Sequence, residues 1–204
     1  MGLADQGEKM LAVLAAIMML QVNAPAARPA PADEAETCPA VPVEANAVRE
    51  WKDFEFSTDI PGSPMWYADR GCYRRAAQAS REYLTRGPLL GIRESAISHL
   101  HMARYLAFAG DEAGAAQALA GARRSDQRTE SEIPLDWNAY VEGLYGFLVK
   151  DRALLEARLA TLQTSPNQGD RYNGANLSWL SRCFERSYME AQTATECTVE
   201  PPRP

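Results

Sequence analysis

Two stretches of the chain, 40 residues apart, repeat the same order of apolar side chains, turn and polar cap. The first reads AISHLHMARYLAFAGDEAGAAQALAGA and the second reads DWNAYVEGLYGFLVKDRALLEARLATL. In both, apolar residues recur every three or four positions, which is the period of a helix face, on either side of a short break. The equivalent pairs are Phe108 with Leu148, Asp111 with Asp151, Ala115 with Leu155, and Leu119 with Leu159. This pattern predicts two consecutive helix–turn–helix units.

The rest of the chain after residue 60 is also patterned as helices. Residues 61–64, Pro-Gly-Ser-Pro, are expected to break the chain before the first helix. Predicted helices cover residues 65–86, 90–109, 111 to about 124, about 134–150 and 151–164, with a sixth from Asn176 after a loop at 165–175. Asp111 and Asp151 are predicted to cap the third and fifth helices. The sixth carries one apolar stripe made of Leu177, Leu180, Phe184 and Tyr188. No segment shows the strict alternation of a strand, so we predict an all-α fold.

The first 26 residues are typical of a signal peptide. Residues 10–22 form an apolar run that is too short to span a bilayer comfortably, and Ala24 and Ala26 supply small residues for cleavage after Ala26. The start of the leader is not positively charged, which departs from the usual pattern. An uncleaved membrane anchor and a buried core helix remain alternatives.

Four segments are therefore predicted. They are a signal peptide at 1–26, a linker with an irregular aromatic segment at 27–60, a helical domain at 61–197 and a Pro-rich tail at 198–204. Within the linker, residues 27–45 are mostly Ala, Pro and Glu, and we expect them to form a flexible arm. Trp51, Phe54 and Phe56 are expected to pack against the domain from an irregular or short extended segment.

Four cysteines follow the leader, and none of them forms a C-x-x-C pair. This spacing favours neither a zinc knuckle nor a thioredoxin-type site. In an oxidising compartment, such cysteines usually form structural disulfides. Of three possible pairings we favour Cys38 with Cys72 and Cys183 with Cys197, because each ties an irregular terminal segment to a nearby helix. The compartment is predicted to be periplasmic or extracellular.

The net charge of −6 argues against a nucleic-acid partner. The arginines are interleaved with acidic residues and do not form a basic patch. Contact with a membrane is expected only if the leader remains uncleaved.

The first helix–turn–helix unit resembles the tetratricopeptide repeat (TPR). Counted from Ala96, the small residues Ala103, Ala115 and Ala122, the turn glycine Gly110 and the apolar Leu119 fall at that family's positions. In the second unit Gly143, Leu159 and the turn agree, whereas Leu155 and Leu162 replace small residues. The spacing also exceeds the roughly 34 residues of the family.

The TPR resemblance implies a short right-handed solenoid of antiparallel helical hairpins, whose first helices line a concave face that binds a protein or peptide segment. The implied groove residues are Ile97, Leu100, Arg104 and Ala107 in the first unit, and Trp137, Tyr140, Leu144 and Phe147 in the second. The carboxylate clamp of chaperone-binding relatives is absent, so the expected contact is apolar or aromatic. The alternative is that Trp137 and Tyr140 belong simply to the core.

The C-terminal half also resembles uncharacterised exported bacterial proteins. The resemblance rests on Trp137, Asn176-Leu177, Cys183-Phe184, Tyr188 and Cys197. It implies no function and adds slight support for a disulfide between Cys183 and Cys197.

No motif of an enzyme, cofactor or metal site was found. His99 and His101 lie two residues apart on a helix and therefore point to nearly opposite sides, so they cannot chelate one metal. The helix carboxylates Glu94, Glu142, Glu156 and Glu185 are candidates for acid–base chemistry only by their placement. We therefore expect a non-enzymatic adaptor or assembly factor of the bacterial envelope. The alternatives are an envelope hydrolase that uses helix carboxylates, and a tethered structural domain without a ligand.

Overall fold

The computed structural model describes residues 38–126 and 135–199. The predicted signal peptide, the first part of the linker and most of the predicted tail lie outside this range. Within the described residues, no helix is both long enough and apolar enough to cross a bilayer.

The described parts of the chain fold into ten α-helices and two short 3₁₀ helices, with no strand among them, so the all-α prediction is confirmed. The α-helices are α1 (Trp51–Phe56), α2 (Pro64–Ala68), α3 (Tyr73–Arg86), α4 (Ile92–Phe108), α5 (Glu112–Ala118), α6 (Trp137–Leu148), α7 (Arg152–Gln163), α8 (Gln168–Arg182), α9 (Tyr188–Thr193) and α10 (Thr195–Thr198). The 3₁₀ helices are Val43–Ala45 and Leu119–Ala122.

Helices that follow one another in sequence also pack against one another. Successive helices from α3 to α5 and from α6 to α8 are in contact, and α8 also contacts α6. The main core lies between these helices, where Leu100, Leu144, Leu155, Leu177 and Tyr188 are buried. The handedness of a solenoid stays an expectation.

The two predicted helix–turn–helix units have matching turns. Asp111 accepts a hydrogen bond from the backbone N–H of Gly114, and Asp151 accepts one from that of Leu154, so both predicted caps are present. The N–H of Asp111 donates to the Leu106 carbonyl at 2.9 Å, and the N–H of Asp151 donates to the Gly146 carbonyl at 2.7 Å. Each of these pairs is offset by 40 residues, so the sequence repeat is also a repeat of local structure.

The predicted first helix is wrong in one respect, because residues 65–86 form two helices. The break between α2 and α3 contains Gly71, whose φ of +72° is incompatible with a continuous helix. Cys72 follows at once and forms the disulfide with Cys38. Ser63 caps α2 as a side-chain acceptor, and Pro64 occupies the first turn, as expected of the Pro-Gly-Ser-Pro break.

The aromatic segment at residues 46–60 was predicted to be irregular or extended, but it contains helix α1. Phe54 is buried and stacks on Tyr83 with ring centroids 4.1 Å apart. The Tyr83 hydroxyl donates to the Arg49 carbonyl at 2.7 Å. This part of the predicted linker is therefore an integral part of the helical domain.

The predicted loop at 165–175 is also wrong, since α8 begins at Gln168 with Asn167 as its cap. Asp170 is buried in the first turn, where its carboxylate accepts from the Asp136 N–H at 2.9 Å and the Ser165 hydroxyl at 2.6 Å. Asn176, which was predicted to cap the sixth helix, lies in the middle of α8. The helix ends before Phe184 and Tyr188, although both are buried with the rest of the predicted stripe.

Both favoured disulfides are present. Cys38 pairs with Cys72, and Cys183 pairs with Cys197, so no described cysteine is free. The first joins the segment before α1 to the start of α3. The second joins the end of α8 to α10.

Candidate ligand-binding cavity

A cavity of about 290 Å³ lies between α4, α6 and α8, beside the end of α1. Five of the residues assigned to the groove line it, namely Ile97, Leu100 and Arg104 from α4, and Trp137 and Tyr140 from α6. Ile97 with Trp137, and Leu100 with Tyr140, are also equivalent pairs of the 40-residue repeat. The cavity thus joins corresponding positions of the two units.

The other predicted groove residues lie in the core. Leu144 and Phe147 are 0% exposed and Ala107 is 1% exposed, and none of the three lines the cavity. The cavity therefore extends over fewer turns of α4 and α6 than the groove that the TPR resemblance implied.

Trp137 and Tyr140 pack with the core and also line the cavity. The indole N–H of Trp137 donates to the Ala122 carbonyl at 2.6 Å, which holds the start of α6 against the end of the first unit. The Tyr140 hydroxyl donates to Asn176 Oδ1 at 3.0 Å, which links α6 to α8. Burial raises the pKa of the Tyr140 phenol to about 12, although the nearby Arg104 acts to lower it.

Arg104 places a positive charge in the wall of the cavity. Its Nε donates to the hydroxyl of Tyr188 at 3.2 Å, and Tyr188 is itself fully buried. Electrostatic interaction with the Tyr188 and Tyr140 phenols raises the pKa of the Arg104 guanidinium, while burial opposes this effect. Among the described residues, Arg104 makes no ion pair with a carboxylate.

A buried carboxylate positions a histidine at the same cavity. Glu55, from α1, is 0% exposed, and its Oε1 lies 2.7 Å from Nδ1 of His101. Its Oε2 accepts from the Ser98 hydroxyl at 2.6 Å, and that hydroxyl accepts from the Trp51 indole N–H at 2.9 Å. Glu55 occupies Nδ1, and within the described residues the other ring nitrogen of His101, a residue that lines the cavity, has no hydrogen-bond partner.

The cavity is also lined by two segments that the sequence did not assign to a site. Tyr172, Asn173 and Asn176 project from α8, and Phe56 lies at the end of α1. Tyr172 is 78% exposed and forms an aromatic rim. Residues 165–175 were predicted to be a loop, and nothing in the order of residues signals that Tyr172 faces α4.

A second cavity, of about 390 Å³, lies on the other side of α6. Glu142 forms an ion pair there with Arg158 at 2.7 Å and another with Arg123. Both arginines of this cavity therefore share one carboxylate on the chain, whereas Arg104 has no carboxylate partner among the described residues.

The other candidate groups have structural roles. His99 lies against Gly121, and its Nδ1 is 2.8 Å from the Ser95 carbonyl. Glu94 accepts from the Gly91 N–H at 3.0 Å at the start of α4, and Glu156 and Glu185 pair with Arg152 at the surface. Within residues 38–126 and 135–199, no group of three or more metal-ligating side chains is placed to hold a metal ion.

Comparison of the chain with protein-family models, with curated proteins and with solved structures gave no match.

Proposed function

We propose that this is an exported helical-repeat protein that binds a segment of another protein in the cavity between α4, α6 and α8. The observation that carries the proposal is the meeting of equivalent positions from both units, Ile97 with Trp137 and Leu100 with Tyr140, at one cavity. A TPR-like arrangement of hairpins would bring them together in this way.

The size and the lining of the cavity favour a peptide segment over a large cofactor. A volume of about 290 Å³ is at or below the lower end of small-molecule sites, which span roughly 300–1,000 Å³. Exposed aromatic residues such as Tyr172 are enriched at protein interfaces. One or two side chains of a partner would fill the cavity, while the partner's backbone remained outside.

The two disulfides support export to the periplasm or the cell exterior, because disulfides persist in oxidising compartments. In such a compartment, a cavity that accepts a partner's side chains suits an adaptor or an assembly factor. The proposed partner is a protein or peptide of the envelope.

Panning of a phage-displayed random peptide library on the protein tests this function. Recovered peptides should bind the wild type and lose affinity for Tyr172→Ala, which removes an exposed rim residue. Tyr145→Ala is the matched control, because Tyr145 is 42% exposed and lines the second cavity. Circular dichroism should show both variants to be folded. Failure to enrich any peptide, or equal losses in the two variants, would refute the proposal.

One observation favours a second candidate, an envelope hydrolase. The Glu55 carboxylate holds Nδ1 of His101, which is the arrangement that orients a general base. In such a reaction His101 would take a proton from water as the water oxygen attacked a carbonyl carbon, and would return it to the leaving group. A panel of chromogenic ester and peptide substrates tests this, with His101→Gln expected to abolish any activity. Turnover that survives this substitution, or no turnover by the wild type, would exclude the candidate.

A further inference from the structure

We propose that the bound segment presents an acidic side chain, Asp or Glu, whose carboxylate pairs with Arg104. This inference rests on the proposed function and names the chemistry of the ligand. It differs from the contact that the TPR resemblance implied, which was apolar or aromatic only.

The hydrogen bonding of Arg104 leaves both amino groups of the guanidinium, with four N–H donors, available. Its Nε is occupied by the Tyr188 hydroxyl. Within the described residues, its Nη1 and Nη2 amino groups have no hydrogen-bond partner. A guanidinium edge with unoccupied donors matches the two oxygens of one carboxylate, which can accept two parallel hydrogen bonds.

The charge of Arg104 is also uncompensated. The groups around it are the phenols of Tyr188, Tyr140 and Tyr105, and none of them is a carboxylate. The buried carboxylate of Glu55, which approaches the same cavity through His101, is already held by His101 and Ser98. Because a charge removed from water is costly without a partner, a ligand carboxylate would stabilise this part of the cavity.

The partial burial of Arg104 in the cavity wall favours an acidic side chain over a chain terminus. Arg104 lines the cavity and its Nε is held by the hydroxyl of the buried Tyr188, so a carboxylate must enter the cavity to reach the two amino groups. Asp and Glu carry their carboxylates one and two methylene groups from Cα. A terminal carboxylate is attached directly to Cα, so the partner's backbone itself would have to enter between α4 and α8.

The residues that line the cavity indicate which kind of residue lies next to the acidic one in the ligand. Trp137, Tyr172 and Phe56 surround the cavity and offer apolar faces. An aromatic or large apolar residue next to the acidic one would cover these faces, since aromatic pairs add to the free energy of burial. The ligand is therefore an acidic residue beside an aromatic one.

Two acetylated and amidated dipeptides, Glu-Phe and Gln-Phe, test the proposal by titration of the full chain followed by NMR. They differ only in charge at the side chain. We expect Glu-Phe to bind about tenfold more tightly than Gln-Phe, as a charge-assisted pair should. Arg104→Gln should remove that difference, whereas Arg86→Gln, which loses the same charge at the exposed end of α3, should keep it. The comparison of the two probes on the wild type stands even if Arg104→Gln fails to fold.

Equal affinity for the two dipeptides, or no binding of either, would overturn the inference. So would tighter binding of acetyl-phenylalanine with a free terminal carboxylate, since that result would assign Arg104 to a chain end. Display peptides that depend on Tyr172 but contain no acidic residue would leave the proposed function intact and refute this inference alone.

Discussion

Gly110 and Lys150 occupy equivalent positions in the two turns, and both have left-handed backbone conformations, with φ of +81° and +59°. Within the described residues, Lys150 is the one non-glycine residue with positive φ. Its ammonium group donates to the carbonyls of Phe184 at 3.1 Å and Arg186 at 2.9 Å, and lies 4.0 Å from the Phe147 ring centroid. These contacts offset the free-energy cost of the positive φ at Lys150 and hold the second turn against the segment after α8.

Gly110 has no side chain that could make comparable contacts. Substitution of Gly110 should therefore reveal the free-energy cost of a positive φ in this turn. No atom lies near its missing side chain, so Gly110→Ala should lose about 1 kcal/mol of unfolding free energy through backbone strain alone. Gly110→Asn should lose less, because Asn tolerates this conformation better. Urea unfolding of the three proteins measures the difference. Equal losses for Ala and Asn would contradict a conformational origin.

Gly143 is expected to be required for the approach of α8 to α6. A Cβ atom at this position would collide with the fully buried Leu177 and crowd the Cβ of Arg158 at 3.3 Å. We expect Gly143→Ala to cost about 1–3 kcal/mol of stability, as overpacking of a core does. In a double-mutant cycle by urea unfolding, Leu177→Ala should cost less in the Gly143→Ala background than in the wild type. Additive effects would show that the two positions do not conflict.

The disulfide between Cys183 and Cys197 should stabilise the C-terminal helices, since it closes a loop across a sequence separation of 14. Replacement of both cysteines by Ala should lower the free energy of unfolding by about 3 kcal/mol, chiefly by freeing the unfolded chain. Thermal unfolding with and without a reductant provides the measurement. Reductant should lower the melting temperature of the wild type by more than that of the double variant, because the double variant already lacks this bond.

Alkaline pH should destabilise the fold through Tyr140. Its pKa is raised from 10.0 to about 12 by burial, so the folded state holds the phenolic proton after the unfolded state has lost it. The corresponding stability is present below pH 10 and is lost as pH rises towards about 12, by roughly 3 kcal/mol. Tyr140→Phe should therefore show a shallower fall in unfolding free energy over this interval. An unchanged slope would refute this assignment.

The repeated turns could be predicted because their signals are local, and the disulfide pairing because four cysteines allow only three pairings. Asp111 and Asp151 cap helices by contacts to residues three positions away. Cys38 and Cys197 each lie in a terminal segment with a nearby helical cysteine to pair with. Tertiary structure did not have to be known for either prediction.

Helix α8 and much of the cavity could not be predicted, because their determinants are distant in sequence. The polar residues that open α8 suggested a loop, but the Asp170 carboxylate is satisfied by Asp136, which is 34 positions away. Glu55 similarly meets its partners Ser98 and His101 at separations of 43 and 46. No periodic pattern relates such positions.

The same Glu55 contacts determine how far the chain can be shortened. A fragment starting at residue 61, the predicted beginning of the helical domain, would lose the acceptor for Ser98 and His101 and the ring that stacks on Tyr83. It would also lose one wall of the cavity at Phe56. Any recombinant fragment intended for binding studies should therefore begin no later than Cys38, which keeps both α1 and the disulfide to Cys72.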